Sequence, residues 1–116
     1  DVIRNAELTI GEGAEILVDG RLLQCNIDMA GDALLVVGET GALEGCRVSG
    51  GRLHIRGRFL TPGELGLRAP TELWVGRSGV VSTDLEQPEH LTRFGFESGC
   101  CLRLYIKTRT TPSQRE

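Results

Sequence analysis

The sequence predicts an all-β solenoid of parallel strands, with three short strands in each coil of about 18–20 residues and little or no helix. Three observations carry this expectation: the chain repeats itself, its apolar residues alternate with period two, and glycine punctuates each apolar burst. "LVVGETGAL" at 35–43 returns as "LWVGRSGVV" at 73–81, a lag of 38, and a looser copy, "LTIGEGAEI", stands at 8–16. A second phrase, "ILVDGRLL" at 16–23, returns as "LHIRGRFL" at 53–60, a lag of 37. Self-similarity at a fixed period marks a stacked repeat, in which each unit buries its apolar edge only against its neighbours.

Taken in chain order, the phrases open on Ile16, Leu35, Leu53 and Leu73, at successive lags of 19, 18 and 20. Within them Ile16 and Val18, Leu35 and Val37, Leu53 and Ile55, and Leu73 and Val75 alternate with other residues, which is strand patterning. The pairs from Leu35 onward are expected to point into the coil. "LLVVGETGAL" then reads as a strand at Leu35–Val37, a corner at Gly38–Gly41 and a new strand from Leu43. Glycine suits such corners because it reaches backbone conformations closed to other residues. Residues 24–33 look irregular. Residues 82–107 fit the repeat poorly and are expected as irregular strands capping the C-terminal end. There Phe94 and Phe96 alternate first, and then Cys100, Leu102, Leu104 and Ile106 lie opposite Cys101, Arg103, Tyr105 and Lys107. One β-helical domain therefore spans 1–107, and the polar stretch "TRTTPSQRE" at 108–116 is expected to be a disordered tail.

Composition narrows the function classes. With 4% aromatics and 16 glycines, the core must be built from Leu, Ile and Val. A formal charge of −3 and the lack of interleaved aromatics speak against nucleic acid. No apolar run approaches the roughly 18–20 residues of a membrane helix, so membrane association is not predicted. Cys25, Cys46, Cys100 and Cys101 show no zinc spacing and are expected as buried, reduced thiols, which suits a cytoplasmic protein. There is no phosphate-binding glycine loop and no nucleophile elbow. No catalytic, cofactor or metal residues are assigned, and the chain is not expected to be an enzyme. His54 is the one candidate base, with no acidic partner that the sequence can place beside it. Asp84, Glu86 and Glu89 are expected in a solvated loop, with His90 at the surface. Arg52, His54, Arg56 and Arg58 form a basic row on alternate positions.

Two surfaces remain as candidates. The positions between the inward residues form an outward row, Leu17, Val36, His54 and Trp74, which is apolar enough to serve as a lateral or partner strip. The coil ends expose a cross-section of the core, with Leu8, Ile10 and Ile16 expected at the N-terminal end and Phe94, Phe96, Leu102 and Leu104 at the C-terminal end.

The phrases "LVVGETGALEG", "LHIRGRF" and "LWVGRSGVV", within roughly residues 8 to 81, resemble those of the bactofilins, the bacterial polymer-forming cytoskeletal family. The resemblance implies a right-handed parallel β-helix that associates with itself end to end, without nucleotide or cofactor, into filaments or oligomers. It further implies a cytoplasmic scaffold, working at the inner face of the cell membrane, that organises cell shape or envelope and cell-wall-associated proteins. Two other readings stay open. One is a capped monomeric β-helix that docks proteins along its strip. The other is a left-handed β-helix trimer like the hexapeptide acyltransferases, suggested by Ile10, Ile16 and Leu22 stepping by six.

Overall fold

The computed structural model describes residues 2–61, 66–68, 70–86 and 88–107. It is an all-β solenoid of about five turns with about three strands to a coil. The strands are β1 (Val2–Arg4), β2 (Glu7–Ile10), β3 (Glu15–Val18), β4 (Arg21–Leu23), β5 (Asn26–Met29), β6 (Leu34–Val37), β7 (Ala42–Glu44) and β8 (Arg47–Ser49). They continue with β9 (Arg52–Ile55), β10 (Arg58–Leu60), β11 (Gly66–Arg68), β12 (Glu72–Val75), β13 (Val80–Glu86), β14 (Arg93–Phe96) and β15 (Cys101–Lys107). The tail at 108–116, expected as disordered, lies outside the described residues.

All pairing is parallel between successive coils, and it builds three faces. The first carries β2, β5, β8, β11 and the second half of β13, and the second carries β3, β6, β9, β12 and β14. The third carries β1, β4, β7, β10 and the first half of β13. β15 pairs with β13 along its whole length, from Val80–Cys101 to Glu86–Lys107, and so spans two faces. The second face keeps the expected register: Ile16 lies beside Leu35, Leu35 beside Leu53, and Leu53 beside Leu73.

The interior is a set of aliphatic columns, because alternation sends every second strand residue inward and parallel stacking places like on like. Leu35, Val37, Leu53, Ile55, Leu73 and Val75 are all buried, as the sequence predicts. Beside them run the columns Ile27–Val48–Leu67–Leu85 and Leu22–Leu43–Phe59–Val81.

Three local expectations are corrected. Residues 24–33 are regular: β5 alternates exposed Asn26 and Asp28 with buried Ile27 and Met29. Residues 82–107 are not irregular caps but further rungs, since β13, β14 and β15 continue the parallel register. The glycines of the V-G-x-x-G phrases also act differently from the expectation. Gly38, Gly41, Gly76 and Gly79 are absent from the positive-φ residues, and they matter through close approach. A Cβ on Gly79 would lie 2.7 Å from the Ile55 carbonyl oxygen of the coil before, and one on Gly41 would strike the Val18 carbonyl. The corner turns close by Gly41 N–H donating to the Gly38 carbonyl and Gly79 N–H to the Gly76 carbonyl, each at 2.9 Å. Left-handed backbone occurs elsewhere, among other places stacked one coil apart at Asn5, Gln24 and Gly45, at Gly13 and Gly31 before the second face, and at Gly99 in the last corner.

Candidate assembly surfaces

The coil ends follow from the columns. A middle-coil residue is covered by its equivalents above and below, whereas an end-coil residue keeps one side open. In the column Ile16–Leu35–Leu53–Leu73–Phe94 the three middle side chains are at most 1% exposed, while Ile16 is 39% and Phe94 45% exposed. The neighbouring column ends on Phe96, 59% exposed, whose ring centroid lies 5.8 Å from that of Phe94. Leu102 and Leu104 are partly buried against the core, and Ile106 beyond them is exposed.

The N-terminal end differs in composition from the expectation. Leu8 is partly buried against the core and Ile16 is exposed, but Ile10 is only 5% exposed. Ile10 lies beside Met29 at the corner and belongs to the core, so it is no part of the end surface. Val2 and Ile3 of β1, which the repeat phrases do not include, are exposed there instead. Ile3 is the open end of the Leu22–Leu43–Phe59 column. That membership was legible from the lag of 19 between Ile3 and Leu22.

The outward row is also continuous. Leu17 lies beside Val36, Val36 beside His54, His54 beside Trp74, and Trp74 beside Gly95. The Trp74 indole lies across Gly95, where a Cβ would run into its Cζ3 and Cε3 atoms. The ring therefore covers the last rung and keeps its outer side toward solvent. It borders an open groove of about 630 Å³ with Val36, Arg56, Arg93 and Phe94.

The groove floor carries an interaction the sequence did not place. His54 Nε2–H donates to Glu72 Oε2, and Arg93 stands 3.8 Å from the other carboxylate oxygen. The His54 hydrogen bond, helped by the charges of His54, Arg52 and Arg93, holds the Glu72 carboxyl below its ordinary pKa in spite of burial. Glu72 is paired in register with Arg52, two residues before His54, so the lag of 20 was the signal that could have found it. Glu72 is thus engaged by neighbours on both sides along the face.

Among the other candidates, Asp84 and Glu86 are strand residues of β13 and not loop residues, and Glu86 lies 3.8 Å from Arg47 and 3.7 Å from Arg68. Glu89 and His90 fall in a 3-10 turn, Pro88–His90. Cys25 and Cys46 are buried one coil apart, and burial raises the Cys46 thiol above its ordinary pKa. Cys100 is only half-buried and Cys101 is exposed, contrary to the expectation for all four thiols. No cluster of three metal-ligating residues occurs among the described residues. Nor, among them, is any helix long and apolar enough to cross a membrane. Compared with protein families, curated proteins and solved structures, the chain matches none.

Proposed function

We propose that this chain is a structural scaffold, bactofilin-like in the phrases of its coils, whose copies associate end to end by coil stacking without nucleotide or cofactor. The observation that carries the reading is where its exposed apolar residues lie. Val2, Ile3 and Ile16 occupy the first coil, and Phe94, Phe96, Tyr105 and Ile106 the last. Leu17 and Trp74 are the remaining large ones among the described residues, both in the outward row. Among the described residues each end also presents edge strands that pair on one side only, the ordinary template for another chain. Stacking pairs these edges and removes apolar area from water, at about 25 cal/mol per Å². On this reading the scaffold organises envelope or cell-shape proteins from the cytoplasm.

Replacing Phe96 with Arg sets a charge in the contact and exchanges a burial gain for a desolvation cost. Light scattering over a concentration series, with sedimentation and electron microscopy, reads the result. The parent is expected to grow with concentration without a fixed limit, and Phe96→Arg to shorten or abolish the assemblies. A parent that stays monomeric at every concentration sinks the reading in favour of a docking monomer. A discrete trimer would instead favour the acyltransferase-like alternative.

A further inference from the structure

We infer that the groove of the second face is a docking site for an extended acidic segment of another protein, with two acidic residues four apart and an aromatic or aliphatic residue midway between them. This deepens the scaffold reading by naming the chemistry of what the scaffold would hold. It rests on that reading only in taking the occupant to be a protein.

The site is built around Trp74. Glu72, Trp74 and Gly76 stand at every second position of β12 and its end, about 6.6 Å apart. The indole is seated on Gly95 and keeps its outer side open, and a guanidinium stands on each side of it. On one side Arg93, in register with Glu72, reaches back to that carboxylate at 3.8 Å and is 81% exposed. On the other side the Arg56 side chain lies across Gly76, where a Cβ would come 3.1 Å from its Cγ. Arg56 is exposed and forms no ion pair or side-chain hydrogen bond among the described residues. Both guanidiniums therefore have N–H donors to offer a carboxylate. Between them the indole and Val36 supply apolar area in the groove of about 630 Å³, the ordinary size of a binding site.

Spacing selects an extended chain. In a β conformation every second side chain faces the same way, so residues i, i+2 and i+4 span about 13 Å. That matches the run from the Glu72 position, where Arg93 leans, through Trp74 to the Gly76 position, where Arg56 lies. A helix would set i and i+4 only about 6 Å apart.

Charge selects acids at the two outer positions. Around the groove and its corner, Arg52, Arg56, Arg77 and Arg93 stand against Glu39, Glu72 and Glu97. Four positive and three negative charges leave +1, on a chain whose net charge is −3. The acid nearest the indole, Glu72, is already held by His54 and Arg93. Its 3.8 Å contact with Arg93 is longer than the roughly 2.7–2.9 Å of a charge-assisted hydrogen bond, so an incoming carboxylate can take that guanidinium without breaking one.

Fluorescence anisotropy with a labelled peptide, capped at both termini, tests the site. The probe carries Glu-Thr-Phe-Thr-Glu, and the controls carry Lys-Thr-Phe-Thr-Lys and the rearranged Glu-Glu-Phe-Thr-Thr. At low salt the probe should bind the parent and change the emission of Trp74, and each control should bind roughly tenfold more weakly. Arg56→Glu and Arg93→Glu should each cost about tenfold and Trp74→Ala about thirtyfold, with circular dichroism showing that each variant keeps its fold. Glu72→Gln, which frees Arg93, should tighten binding, and added salt should weaken it.

A rearranged control that binds as well as the probe overturns the proposal, as does a lysine control that binds better. So does affinity left unchanged by both arginine substitutions, or no binding at millimolar probe. Trp74 emission that shifts on concentrating Phe96→Arg without peptide shows a second copy on the groove and overturns the peptide as its occupant. Because the titration is run on Phe96→Arg as well as on the parent, docking and end-to-end stacking succeed or fail separately.

Discussion

The column Ile16–Leu35–Leu53–Leu73–Phe94 permits a paired stability measurement that separates the fold from its assembly. Leu53 is fully buried, with Leu35 and Leu73 beside it, so Leu53→Ala removes side-chain atoms from a site closed on both sides. Such substitutions cost about 2.7–5 kcal/mol, depending on how far the site collapses. A parallel ladder of short strands has little freedom to collapse along its axis, which favours the upper half of that range. Phe94→Ala acts at the open end. Full burial of a phenylalanine would put the loss at about 3–5 kcal/mol. With 45% of the residue already exposed, half of that, ~1.5–2.5 kcal/mol, belongs to the isolated chain. The remainder appears only where a second copy covers the ring. Urea unfolding followed by circular dichroism, in dilute and in concentrated solution, measures both. Leu53→Ala should lose its full stability increment at either concentration, and the loss from Phe94→Ala should grow with concentration. A Leu53→Ala variant within about 0.5 kcal/mol of the parent, the range of ordinary surface changes, would refute the column account.

Two further outcomes follow from the groove face. Gly95→Ala should push the indole off its seat, shifting the emission of the single tryptophan while costing roughly 1 kcal/mol or less, since the residue lies at the edge of the last rung. An unchanged Trp74 emission spectrum would contradict the packing of the ring on Gly95. Glu72 supplies a pH dependence. Its folded pKa is lowered below 4.5, so its contribution is complete above that value and is lost as pH falls through the folded pKa. Glu72→Gln should cost about 1 kcal/mol at neutral pH, discounted for partial exposure, and nothing in strong acid. Chemical unfolding across the acid range checks this, and a gap between parent and variant that persists at the lowest pH would contradict it.

The interior was legible in the sequence because a parallel solenoid writes its contacts as a lag. Leu35, Leu53 and Leu73 repeat at lags of 18 and 20, and the structure sets them side by side. What the lag concealed lies where corners change length. Between β7 and β10 the register advances by 16, from Ala42 to Arg58, and between β10 and β13 it advances by 22, from Arg58 to Val80. Strands after such a change look out of phase although they pair normally, which is why residues 82–107 read as caps. Residues 24–33 were missed for another reason. β5 holds Asn26 and Asp28 on its outer side and lacks the V-G-x-x-G corner by which the other phrases were recognised.

The ends show what a periodic sequence leaves undetermined. Ile3 and Leu22 occupy equivalent rungs, as do Leu73 and Phe94, yet one member of each pair is buried and the other is open. Nothing in either residue's own alternation distinguishes them, because burial here is conferred by the next coil and not by the strand itself. This chain keeps isoleucine at one end and enlarges leucine and valine to phenylalanine at the other. In energetic terms the terminal rungs retain the composition of interior rungs, so the same apolar burial that joins coil to coil is available to join chain to chain.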